Sequence, residues 1–109
     1  MVNASLKEGA VTVSFDSMAM GKPLICLDTT GYTRYFSNDY AVVIPRTSRE
    51  EVISNLAAAM ERMTSADERT AIGEKAKSAG AQFTWPARGE EFKELLMKKL
   101  GEAELIQLI

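Results

Sequence analysis

Histidine is missing from this 109-residue sequence. Its absence removes histidine metal ligands and every Ser-His or Cys-His nucleophile pair. Proton transfer is left to carboxylates, Lys22, tyrosines or residues outside the chain. A single cysteine excludes an internal disulfide. Cys26 stands in the run Leu24-Ile25-Cys26-Leu27, where it reads as a small buried hydrophobe, in keeping with a cytoplasmic setting. No apolar stretch approaches the roughly 18 residues of a membrane-spanning helix, and the N-terminus lacks the basic-then-apolar order of a secretory signal, so we expect neither a transmembrane segment nor targeting. Nor is there an excess of charge of one sign: 13 basic and 15 acidic residues give a net charge of −2. With the two signs interspersed, there is no positive stripe to attract nucleic acid or an anionic membrane.

What remains has the composition of one globular core. A helix is expected over residues 10–20, stopped by Gly21-Lys22-Pro23. The apolar runs 24–27 and 40–44 read as strands, the first buried on both faces. The interval between them is too short for a long crossover helix, so a compact turn near residues 33–37 should join parallel strands. Ser48 and Glu51 form a capping box before Val52, Ile53, Leu56, Met60 and Met63 at helical spacing, predicting a helix over 49–63. Ser65 and Glu68 repeat the box for a helix to about residue 79, with Gly80 as its stop. Thr84 caps a last helix, with Pro86 in its first turn and Phe92, Leu95, Leu96 and Leu100 as its apolar stripe. The order is helix, two parallel strands, then three helices, an α/β arrangement.

The chemistry concentrates near the start. Glu8-Gly9-Ala10-Val11-Thr12 joins an acid, a glycine that lets backbone approach a ligand, and a helix beginning whose free N–H groups and dipole favour phosphate. The plainer reading of Glu8 is as a complement to the helix dipole. Asp16 follows eight residues later, where an aspartate within a helix ordinarily points to solvent.

Glu8-Gly9, followed by Asp16-Ser17-Met18-Ala19-Met20-Gly21-Lys22-Pro23-Leu24-Ile25, resembles the signature of the group-one retaining glycosyltransferases, which have two facing Rossmann-like domains (the GT-B architecture). Both carboxylates and the Met-Ala-x-Gly-x-Pro run match in spacing. The similarity continues through residues 28–31, the strand end at 42–45 and Phe83-Thr84-Trp85, nearly the whole chain. It implies half of a Rossmann-like domain, truncated at its N-terminus, with residues 1–109 forming the C-terminal part of the nucleotide-sugar-binding domain. By position, Glu8, as the catalytic residue, would hold the donor sugar. Gly9, Ala10, Val11, Thr12 and Val13 would supply backbone amides to sugar and diphosphate, and Asp16 would take the ribose hydroxyls. A carboxylate accepts two hydroxyl bonds at once, and a helix N-terminus receives an anion without basic side chains, so the physics agrees.

The chain departs from the pattern at Ala10-Val11 in place of Phe-Gly, at Asp16 for the usual Glu, at Thr30 for a glycine and at Arg34 where an acid is common. Trp85 is expected to anchor its helix in the core, and Tyr32, Tyr35 and Phe36 to cluster near the cleft, by packing or sugar stacking. Because the family's acceptor domain and leaving-group cations lie outside this sequence, the fragment alone is expected to be inactive. The resemblance implies a nucleotide-sugar donor, no cofactor or metal, a missing acceptor-binding domain, and a parent enzyme in the cytoplasm or at the membrane periphery. An epimerase of the same architecture would use other acids and histidine. A non-catalytic nucleotide-binding or helical interaction module is the alternative. A homodimer is also expected, through an open edge of the 24–27 strand or the C-terminal helices, where Leu105, Ile106, Leu108 and Ile109 add apolar surface.

Overall fold

The computed structural model describes residues 1–6, 12–28, 31–101 and 107–108, with the backbone alone for 31 and 32. Its elements are β1 (Val2–Asn3), α1 (Thr12–Ala19), β2 (Leu24–Leu27), a 3-10 turn (Gly31–Tyr35), β3 (Ala41–Ile44), α2 (Arg49–Arg62), α3 (Ala66–Gly80), a second 3-10 turn (Ala81–Phe83) and α4 (Trp85–Leu100). The architecture is α/β, compatible with part of a Rossmann-like fold.

The sheet is parallel throughout, in the order β1-β2-β3. Leu24 pairs with Ala41 and Leu27 with Ile44, while Val2 and Asn3 pair with Ile25 and Cys26. Three strands therefore replace the expected two, and β2 is central. The open β2 edge expected as a dimer seam does not exist at Ile25 and Cys26, because two residues of β1 and the bond from the Ile25 N–H to the Met1 carbonyl (2.9 Å) occupy it. On the far side of β3, the Ala41 N–H donates to the Ser37 carbonyl (3.0 Å) and the Val43 N–H to Asn38 Oδ1 (3.2 Å). Pro45 follows the strand.

All four β2 side chains are buried, two on each face. Ile25 and Leu27 join Ile44 and Ala59 under α2; Leu24 and Cys26 join Ala41, with Phe36 and Tyr40 against them. The helix α2 meets the sheet through Val52, Leu56, Ala59 and Met63. Ile53 and Met60, expected on that face, are about half exposed. A helix crossing two short strands buries a narrow stripe, and these positions fall beside it.

The helix ends follow their capping chemistry. Ser48 Oγ accepts the Glu51 N–H, Ser65 Oγ the Glu68 N–H and Thr84 Oγ1 the Ala87 N–H. The Glu68 carboxylate turns to the Arg62 guanidinium, joining the ends of α2 and α3. At the end of α1, the Lys22 N–H donates to the Ser17 carbonyl (2.9 Å) and the Gly21 N–H to that of Met18 (2.9 Å). This is a Schellman cap, and it sets Gly21 at φ 66°. The Gly21 carbonyl then lies against Gly73 of α3. Gly80 is the last residue of α3, as expected, but it ends the helix without a left-handed cap: it is helical at φ −61°, and a Cβ there would meet Ala19 N and Met18 C at 3.4 Å, an ordinary contact. The chain then tightens into a 3-10 turn before it breaks at Thr84.

Candidate functional site

Of the residues singled out in the sequence, Glu8, Gly9, Ala10 and Val11 lie outside the described residues. Thr12 and Val13 open α1, both exposed, and Asp16 sits one turn on with its carboxylate exposed. In a parallel β-α-β unit the first turn of the helix lies at the carboxyl end of the strands, where ligands of such sheets bind.

Thr12, Asp16 and Ala19 share one face of α1, at spacings of four and three residues, and with Phe15 they form one wall of a cavity of about 660 Å³. Gly80, Phe83, Thr84, Trp85, Pro86 and Arg88 form the opposite wall, with Tyr35 at the side. The volume is in the range of small-ligand sites, and the lining is mostly apolar with a few polar groups, as such sites are. A second hollow, about 560 Å³, lies open between Asp39 and the α3 residues Glu74, Lys75 and Ser78.

Aromatic packing fixes the shape of the larger cavity. The Phe15 ring contacts Phe83 (centroids 5.1 Å apart), Phe36 (5.4 Å) and Tyr35 (6.3 Å), and Tyr35 contacts Phe83 (5.9 Å). The Arg88 guanidinium lies 5.4 Å over the Tyr35 ring and 5.5 Å over that of Phe83, and pairs with Glu91 on its own helix. Arg34 is also stacked on Tyr35, at 4.8 Å, with Nη2 donating to the Tyr35 hydroxyl. Of the expected cluster of Tyr32, Tyr35 and Phe36, the Tyr32 side chain lies outside the described residues, and Tyr35 and Phe36 meet through Phe15, which, like Phe83, the pattern of the sequence did not single out for this. The signal was available: Phe15 immediately precedes the acid Asp16, and Phe83 the cap Thr84.

Trp85 is not a core anchor. It is 88% exposed at the start of α4, on the rim of the cavity. Phe83, one step before the Thr84 cap, takes the slot against Phe15 instead, and the extended backbone at Thr84 sends the next side chain outward. Asp28, at the end of β2, accepts the Thr33 hydroxyl at 2.6 Å and shapes the turn after the strand.

Burial, helped by the nearby Asp28, pushes the Cys26 thiol up to about 11, so at neutral pH it is a protonated core side chain. Among the described residues no three acidic or cysteine side chains converge as a metal site requires, and no helix is long and apolar enough to cross a membrane. Comparison with protein-family models, with curated proteins and with solved structures finds no match.

Proposed function

We propose that the chain is the donor-nucleotide part of a retaining glycosyltransferase that uses a nucleotide sugar, half of a Rossmann-like domain whose acceptor-binding partner lies elsewhere. The observation that carries this is the spacing of Glu8-Gly9 and of Asp16 through Pro23. A parallel β-α-β unit with the Asp16 carboxylate free on a cavity wall supports it. In this reading Glu8 holds the donor sugar, the amides of Gly9, Ala10, Val11, Thr12 and Val13 face sugar and diphosphate, and Asp16 accepts the ribose hydroxyls.

Titration of the 109-residue chain with uridine and guanosine diphosphates, followed by amide chemical shifts, tests it. Shifts should appear first at Thr12 and Val13. Asp16→Asn, which removes a charge-assisted acceptor, should weaken binding about tenfold or more. Shifts confined to α2 and α3 would refute the assignment. The chain alone should show no glycosyl transfer, because the reaction depends on electrostatic stabilisation of the leaving diphosphate between two domains.

A second reading, a helical interaction module that includes a homodimer through the C-terminal helices, has one observation in its favour. The helix α4 packs chiefly on the short turn before it and leaves Trp85, Phe92 (62% exposed) and Leu95 uncovered. Sedimentation at twice the chain mass, abolished by Phe92→Glu, would support it. Leu108 is exposed as well, whereas Leu105, Ile106 and Ile109 lie outside the described residues.

A further inference from the structure

We propose that the rim of the α1 cavity is a stacking site for a nucleobase, with Trp85 as the ring on which the base lies. This rests on the donor reading above and assigns a recognition element to the same site. The geometry of α1 sets the order of groups. The helix rises about 1.5 Å per residue, so Thr12 and Asp16 are roughly 6 Å apart along it. A ligand with phosphate at the first turn and ribose at Asp16 therefore continues toward Ala19. Besides Thr12 and Asp16, the lining of the same cavity includes two small residues, Ala19 and Gly80, and the flat side chains of Trp85 and Pro86. An exposed indole ring beside such a cavity offers a flat apolar face to a planar group. Every base has a ring face to offer.

Charge points the same way. The positive charge of Arg88 is taken by Glu91 and by the faces of Tyr35 and Phe83, so it is poorly placed to hold a phosphate at this end. The carboxylate of Asp16 repels one. An uncharged planar ring meets neither obstacle. Burying it also covers Trp85, whose exposure of 88% is otherwise an apolar surface left in water.

The chain has one tryptophan, so its fluorescence reports this residue alone. Titrating the full chain with uridine diphosphate, guanosine diphosphate and the baseless probe ribose 5-phosphate, we expect saturable quenching by the two nucleotides and none by the baseless probe. Trp85→Ala should weaken nucleotide binding, followed at the Thr12 and Val13 amides, by roughly ten- to hundredfold, the range that stacking carries. Trp85→Phe should restore most of it. Because Trp85 is exposed at the first position of α4, the Ala variant should keep its helical circular dichroism, which serves as the folding control.

Nucleotide binding that shifts the Thr12 and Val13 amides while leaving Trp85 fluorescence unchanged, or that survives Trp85→Ala undiminished, would overturn the stacking site and leave the donor reading standing. No shift at those amides with millimolar nucleotide would overturn both.

Discussion

Replacing Gly73 with alanine should destabilise the protein, although the exchange favours the helix that carries it. Gly73 lies inside α3, where alanine is intrinsically better than glycine by roughly 1 kcal/mol. A Cβ built there would stand 2.1 Å from the Gly21 carbonyl oxygen and 3.1 Å from its carbonyl carbon. Both are backbone atoms, fixed by the Schellman cap that ends α1, so no side chain can rotate away. Restoring an ordinary contact needs α3 or the turn to move by more than an ångström. Overpacking of this kind costs about 1–3 kcal/mol and occasionally more, so the contact outweighs the propensity. A net loss of up to about 2 kcal/mol is a large share of a stability of roughly 5–15 kcal/mol. It should lower the melting temperature by roughly 4–8 °C per kcal/mol. Urea unfolding monitored by circular dichroism measures it, with Gly89→Ala in α4 as the control. Nothing lies within 4 Å of a Cβ at Gly89, so that change should stabilise by about 0.5–1 kcal/mol. A Gly73→Ala variant as stable as its Gly89→Ala counterpart would refute the close approach of α3 to the end of α1.

The raised thiol of Cys26 makes a pH prediction. Its folded-state value, about 11, lies above the ordinary 9.0, so the unfolded chain ionises first and stability falls as pH rises from 9 to 11. The fall should be roughly 2 kcal/mol more than in Cys26→Ala, and a parallel pH profile for the two would sink the assignment. Thr84→Ala should cost about 1 kcal/mol by removing the bond to the Ala87 N–H, and Thr84→Asn should recover most of that in urea midpoints. Ser14, fully buried in α1, has a hydroxyl without a hydrogen-bond partner among the described residues, so Ser14→Ala should raise the melting temperature or leave it unchanged; a marked fall would mean that the hydroxyl is bonded. Ile25→Lys should prevent folding, whereas Ile53→Lys should change stability by no more than about 0.5 kcal/mol.

Elements with strong local signals were legible in the sequence. Ser48, Ser65 and Thr84 mark helix starts through chemistry confined to three or four residues, and the Leu24 run announces a strand buried on both faces. Where the reading failed, the deciding contact was distant. Gly80 does mark the end of α3, but with helical backbone and not the left-handed cap a glycine suggests, packed beside Met18 and Ala19 some sixty residues earlier. Ile53 and Met60 fit the helical period of α2, but the width of its buried stripe is set by the two strands beneath. Trp85 lost its expected core place to Phe83, a competition decided by the direction of the backbone at a cap. For the candidate site, the α1 wall with Thr12 and Asp16 could be read from one short segment. The wall from Gly80 to Arg88 could not, because only the packing of α3 on α1 brings it across.

The outer margin of β3 bears on how the sheet can grow. Its outward-facing donors are all spent or missing: the Ala41 N–H on Ser37, the Val43 N–H on Asn38 Oδ1, and Pro45 with no N–H to give. An incoming strand would find carbonyls to meet but no amide to offer them a return bond, so the sheet is hemmed on that side. Fibrillar stacking needs two adhesive margins per copy, and the β3 margin is closed to it. The loop between the 3-10 turn and β3 therefore acts as a built-in terminator, and Asn38→Ala, by freeing a single amide, is the smallest change that would begin to unpick the hem.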